Sequence, residues 1–256
     1  MSEETIDYPK LTADKCPIVE AVIDFRAKLA TDFKVEAFAA LRERLAGEYP
    51  QFNEPPEYQV DQFIKVEGGK PLLEGGVQDL GVRGHIFRSQ DGKNIAQFRR
   101  DGFTFSRLKP YTSWEVVFAE ASRLWELYIG IAKPTEVGRI ATRYINRIPL
   151  PLGADFDDYL KSGPVIPPEL PQYVGAFVSK VVIQEPATGI MANITHALEV
   201  EAGAESVGVI LDIDVFHHKA FNAADGLLLA NFPKLREMKN RIFFSSLTEK
   251  AIKLFL

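Results

Sequence analysis

Apolar and polar positions alternate between two rhythms along this chain, and the switch points divide it into elements. Residues 18–27, IVEAVIDFRA, read as a strand opened by Ile18 and Val19 and continued by Val22 and Phe25. Residues 33–46 read as a helix, with Val35, Phe38, Leu41 and Leu45 forming a stripe at spacings of three and four. Pro50, Pro55 and Pro56 stop it, and a strand from Tyr58 to Val66 follows. Six glycines between 68 and 84 predict a mobile loop. Three short alternating runs, HIFRSQ, IAQFRR and FTFSRL, are separated by Asp91-Gly92 and Asp101-Gly102. Glycine reaches positive φ at little steric cost, so these dipeptides predict a three-stranded antiparallel meander.

Thr112 with Glu115 three residues later predicts a capping box for a helix from Ser113 to about Ile129, ended by Gly130. Its apolar side carries Trp114, Val117, Phe118, Ala121, Leu124, Trp125 and Tyr128, expected against the first meander. A strand from Glu136 to Ile148 is then stopped by Pro149 and Pro151. The plan repeats after a proline-rich stretch: strands at 176–185, 190–200 and 207–216, then a helix capped by Asn222 and Asp225, running to about Asn240 and kinked by Pro233. A short helix is expected after Leu247. The pattern predicts an α+β fold of two antiparallel sheet-plus-helix halves, a pseudo-repeat, with the helices on one face of each sheet. Residues 1–150 form the first half, 151–175 a proline-rich linker and 176–256 the second, with a single compact unit of both halves as the alternative.

Composition narrows the setting. The chain has 256 residues, 46 % of them hydrophobic, enough for a sizeable core without disulfides or metal. A lone cysteine, Cys16, fits a reducing compartment. The acidic stretch Met1 to Asp7 has no hydrophobic signal core, and no run of eighteen apolar residues occurs, so a cytoplasmic location without a membrane partner is expected. A net charge of −5 argues against nucleic acid as a partner, although residues 83–147 are locally basic.

Phosphate-loop, dinucleotide, zincin, serine-hydrolase and dithiol signatures are all missing. Two patterns remain. In GRIATRYINRI, Arg139, Arg143 and Arg147 fall on one strand face, opposite Ile140, Tyr144 and Ile148. Arginines crowded this way need carboxylates or a bound anion. They are the anion-binding candidates, and Arg143 is expected to pair with Asp212 or Asp214. In LDIDVFHH, Asp212, Asp214 and His218 share a face, a weak metal candidate set that lacks further ligands. His196 lies on an apolar face and reads as a core residue; His85 and His217 offer less. Cys16 beside Pro17 reads as inert, and Tyr111 with Trp114 as a packing anchor.

Cys16-Pro17-Ile18-Val19-Glu20-Ala21-Val22, Phe103-Thr104-Phe105-Ser106-Arg107-Leu108, Tyr111 with Trp114, Arg143-Tyr144-Ile145-Asn146-Arg147-Ile148, Leu211-Asp212-Ile213-Asp214 and Phe244 with Leu247-Thr248 follow one another in order. Together they resemble the signature of a sporadically distributed family of uncharacterised bacterial proteins. The resemblance spans nearly the whole chain. It implies one shared architecture and a bacterial cytoplasmic origin, and it implies no catalytic residues.

No cofactor is expected. The leading functional expectation is a non-catalytic binding or protein-interaction module, with a protein partner, a small anionic ligand or a second copy of the chain as its counterpart. The second, from another class, is an enzyme or sensor for a phosphorylated small molecule or nucleotide held by the arginine strand.

Overall fold

A computed structural model describes residues 8–9, 11–67, 70–199, 206–223 and 227–256. The strands are β1 (Ile18–Lys28), β2 (Gln51–Asn53), β3 (Pro56–Glu67), β4 (Lys70–Val82), β5 (Gly84–Arg88), β6 (Asn94–Arg99), β7 (Gly102–Leu108), β8 (Glu136–Pro151), β9 (Val178–Gln184), β10 (Met191–Glu199) and β11 (Ser206–Phe221). The helices are α1 (Leu41–Leu45), α2 (Trp114–Ala132), α3 (Phe232–Ser246) and α4 (Glu249–Ile252).

The α+β class holds, but two separate sheets do not form. Nine strands make one antiparallel sheet in the order β2-β5-β6-β7-β1-β8-β11-β10-β9, and β3 with β4 forms a separate two-stranded ribbon. The two expected halves meet where β8 lies against β11, with Ile148 opposite Val209 and Tyr144 opposite Ile213, and β1 joins β8 on its other side, where Ile23 pairs with Thr142 and Phe25 with Ile140. Both meanders therefore lie in one layer. Both long helices cover the same face of it: Trp125 of α2 stacks on Phe25 at 4.3 Å, and Phe232 of α3 meets the same ring at 5.1 Å. That face is the core, with Ala21, Ile23, Phe25, Ile140, Tyr144, Ile148, Leu211 and Ile213 all buried.

Local departures from the sequence expectations have physical causes. The first helical segment is a 3-10 turn over Val35–Ala40 that passes into α1. Its buried residues Val35, Phe38 and Leu41 are three apart, the period of the tighter helix. The glycine-rich stretch is strand rather than loop from residue 70 onward, pairing Gly75 with Gln62 and Gly76 with Asp61; Gly68 and Gly69 lie outside the described residues. A ladder is held by backbone groups, which glycine supplies as well as any residue.

Ser113, not Thr112, caps α2, accepting a bond from the Val116 amide. The helix runs through Gly130 to buried Ala132 and ends at Lys133, in the left-handed region at φ 46°, before Pro134. Strand β8 runs past Pro149 and Pro151. The Arg147 amide already points to Pro17 on the β1 side, so by alternation the donors that Pro149 and Pro151 lack would point beyond the start of β1. Pro233 starts α3 instead of kinking it, because a first-turn amide has no helical partner to lose. Of the expected Asn222–Asp225 cap, Asp225 lies outside the described residues, and α3 itself begins at Phe232.

The expected meander is present as β5-β6-β7, with Gly92 at φ +69° and Gly102 at +144° in its turns. At Gly102 a Cβ would come within 1.9 Å of the Phe25 carbonyl oxygen, so no side chain fits.

Candidate functional site

The open face of the sheet carries the arginine strand. The 3.6-fold rhythm of a helix would scatter these residues, but the two-residue period of β8 places Arg139, Arg143 and Arg147 in one row. Each is answered by a carboxylate. Arg143 makes the expected pair with Asp212, in a two-pronged geometry of 2.8 and 2.5 Å. Arg139 bridges Asp24 at 3.0 Å and Asp214 at 2.8 and 2.9 Å. Arg147 pairs with Glu199, and Gly208 beside them leaves room for both side chains. Asp24 also accepts from Thr104 at 2.6 Å and lies 3.6 Å from Arg99, which in turn bonds Asp101. Asp101, Arg99, Asp24, Arg139 and Asp214 thus form a connected lattice of charge across the middle strands, flanked by the separate Arg143–Asp212 and Arg147–Glu199 pairs.

Asp212 and Asp214 are committed to these ion pairs. His218 stands edge-on to Phe216 at 5.0 Å. Among the described residues no cluster of three metal-ligating side chains occurs. His196 is buried, and burial holds its pKa below the usual histidine range. His85 is enclosed by Phe38 and Phe52, with its Nδ1 3.2 Å from Glu54.

A cavity of about 760 Å³ opens at the helix-covered face. The segment before β1 contributes Tyr8 and Cys16, the entry to α2 contributes Tyr111, Trp114 and Glu115, β8 contributes Tyr144 and Asn146, and α3 contributes Arg236, Lys239 and Phe243. Tyr144 and Asn146 sit on the core face of β8 because their parity is that of Ile140 and Ile148. Asn146 is fixed by donating to the Leu211 carbonyl at 3.0 Å. The Tyr144 and Tyr111 hydroxyls are 3.2 Å apart.

Lys239 is the unusual member. Its Nζ lies 4.2 Å over the Tyr144 ring and donates to the Asn240 side-chain oxygen. Among the described residues no carboxylate forms an ion pair with it. Burial, with Arg236 second, lowers its pKa to about 7. One turn earlier Arg236 lies over Trp114 at 5.4 Å and reaches Glu115 at 3.3 Å. Burial pushes Tyr111 up to about 12 and Tyr144 well above its ordinary value, so both hydroxyls stay protonated. Burial also raises the Cys16 thiol, which keeps it a poor nucleophile.

The arrangement offers two cations, one of them partly neutral at pH 7, and two neutral phenols, inside aromatic walls. The sequence reading named Tyr111, Trp114 and Cys16 but missed Lys239 and Arg236. A signal was available: Phe232, Leu235, Ile242 and Phe243 define the stripe of α3, and Lys239 falls inside it, where a cation is out of place. No protein-family model, no curated protein and no solved structure matches this chain.

Proposed function

We propose that the protein binds a small organic anion in the cavity beneath α3, with Arg236 and Lys239 as its cationic contacts. The observation that carries this reading is Lys239, an amine without a described carboxylate partner, facing a cavity large enough for a metabolite. Aromatic walls from Trp114, Tyr111 and Tyr144 suit a ligand with a flat or apolar body. The arginine strand is not chosen as the anion site because carboxylates already answer Arg139, Arg143 and Arg147.

Thermal denaturation against a panel of mono- and dicarboxylates, phosphate and nucleotides tests it. A carboxylate is expected to raise the melting temperature of the wild type and to lose that effect in Lys239→Met. A panel in which every compound leaves the wild type unmoved would count against the cavity as a site.

The two-half organisation belongs to the same proposal. The first half supplies β1 and β8, a meander and α2, the second a meander and α3, and the cavity forms where the start of α2 meets α3 and the β1–β8 pair.

A second reading rests on β9. All seven of its residues are exposed, with Val178, Val181, Val182 and Ile183 at 76, 51, 53 and 37 %. An unpaired apolar edge is a template for another strand. A second copy fits it: a two-fold at Val181 sets each Lys180 opposite Val182 of the other copy, so the like charges do not meet.

A further inference from the structure

We propose that Lys239 condenses covalently with the carbonyl of a small 2-oxo acid, forming an imine in the cavity beneath α3. The inference deepens the reading of that cavity as an organic-anion site and rests on it.

Three features point to an amine that reacts rather than one that only attracts charge. First, Lys239 is placed at the cavity and over the Tyr144 ring, with a neutral amide oxygen from Asn240 as its bonded neighbour. A lysine kept only for its charge is normally answered by a carboxylate; a lysine meant to attack must spend part of its time as the free amine. Burial favours that form and the Arg236 charge repels a proton, against the Tyr144 ring face, Cys16 from the segment before β1 and Glu237 on the same helix, which favour the charged form. Its pKa near 7 leaves about half the molecules with a nucleophilic nitrogen at neutral pH.

Second, Arg236 is three residues earlier, hence on the same side of α3. Its present partner Glu115 is 69 % exposed and held at 3.3 Å, a weak surface pair that an incoming carboxylate displaces at little cost. Arg236 then holds the carboxylate of the oxo acid, and the adjacent carbonyl carbon comes within reach of Nζ. Arginine is suited to that role because its fork matches a carboxylate.

Third, the Tyr111–Tyr144 hydroxyl pair supplies proton transfer beside the amine. Both phenols are neutral, and their 3.2 Å contact lets one donate while the other accepts.

The step balances without an oxidant or reductant. The Nζ lone pair attacks the carbonyl carbon, the carbon–oxygen π pair moves to oxygen, and a proton passes from nitrogen to that oxygen to give the carbinolamine. The carbon–oxygen bond then breaks as the hydroxyl takes a proton from the phenol pair and leaves as water. The nitrogen pair forms the carbon–nitrogen double bond, and the second proton on nitrogen returns to the phenols.

Reductive trapping tests this on the full chain. Pyruvate with sodium borohydride, followed by peptide mass mapping, should label Lys239 before any surface lysine, with a rate that rises through pH 7 rather than near pH 10. Lys239→Arg should lose the label and keep the pyruvate-induced rise in melting temperature, because the charge remains and the nucleophile does not. A wild type that gains thermal stability from pyruvate but carries no adduct at Lys239 would overturn the imine and leave the anion site standing. Label spread over surface lysines according to exposure would also overturn it. Absence of both adduct and thermal shift would overturn the imine together with the site beneath it.

Discussion

Arg139 and Arg143 point the same way from one strand, yet their surroundings set very different energies. Arg139 is 18 % exposed between Asp24 and Asp214, at 10 and 19 %. Arg143 is 48 % exposed against Asp212. Removing Arg139 leaves Asp214 with Asn193 alone, while Asp24 keeps Arg26, Arg99 and Thr104, and Arg139→Met should cost about 3 kcal/mol. Arg143→Met removes a pair that water already screens and should cost about 1 kcal/mol or less. Urea denaturation of both variants checks the ordering, and equal losses would contradict it. Lys239 acts in the opposite sense. Its folded pKa lies below its unfolded value, so the unfolded chain binds more protons between about pH 7 and 10.5. The unfavourable burial of the charge is fully present below pH 7 and is relieved as pH rises through that window. Lys239→Met should therefore be more stable than wild type at pH 6 by about 1–3 kcal/mol, and the gain should shrink toward pH 10. A gain independent of pH would mean that packing, not charge, separates the two proteins. Strand parity made the arginine row and the Asp212–Asp214 face readable in advance, but not Asp24 and Glu199, which reach Arg139 and Arg147 from other strands. The cavity was not readable, because Tyr144, Arg236 and Lys239 meet only through tertiary packing.

Among the elements, α2 is the best defined by its own sequence. Its buried stripe of Trp114, Val117, Ala121, Leu124, Trp125 and Tyr128 keeps spacings of three and four throughout. The expected packing against the first meander holds for Trp125, which is 2 % exposed, lies 6.4 Å from Phe103 of β7 and also stacks on Phe25 of β1. Trp114 and Phe118 stack on each other and turn instead toward α3, where Phe118 meets Phe232 at 5.2 Å. Trp125→Ala should thus cost about 3–5 kcal/mol, read from the midpoint of chemical unfolding. Strands were legible where turns punctuate them, as at Asp91-Gly92 and Asp101-Gly102. They were illegible where glycines stand in the ladder, as in β4, and where prolines sit on the unpartnered side, as at the end of β8.

At the scale of the whole molecule, the two edges of the nine-stranded sheet differ. Strand β2 is three residues long, and Arg42 lies over its Phe52 at 5.1 Å, whereas β9 is seven residues long with apolar side chains exposed on both faces. If β9 joins a second copy, sedimentation should report a dimer that Val181→Lys converts to monomer with unchanged circular dichroism. A wild type that sediments as a monomer at high concentration would remove that reading. The fusion of the two expected sheets into one was not legible in the sequence, because β8 and β11 pair across the whole proline-rich stretch and no local signal encodes that pairing.

The pairing of β1 with β8 sets an order of assembly. Strand β1 is made early, yet it occupies the middle of the finished sheet. Ile23 finds its ladder neighbours only when Phe105 and Thr142 exist, on β7 and β8 respectively. While the ribosome works through the intervening codons at about 5–20 residues per second, an 11-residue strand with both edges bare and Ile23 and Phe25 uncovered has nowhere to dock. Such a nascent segment is a natural client for a chaperone near the exit tunnel, and the growing chain should resist pulse proteolysis only after β8 has emerged.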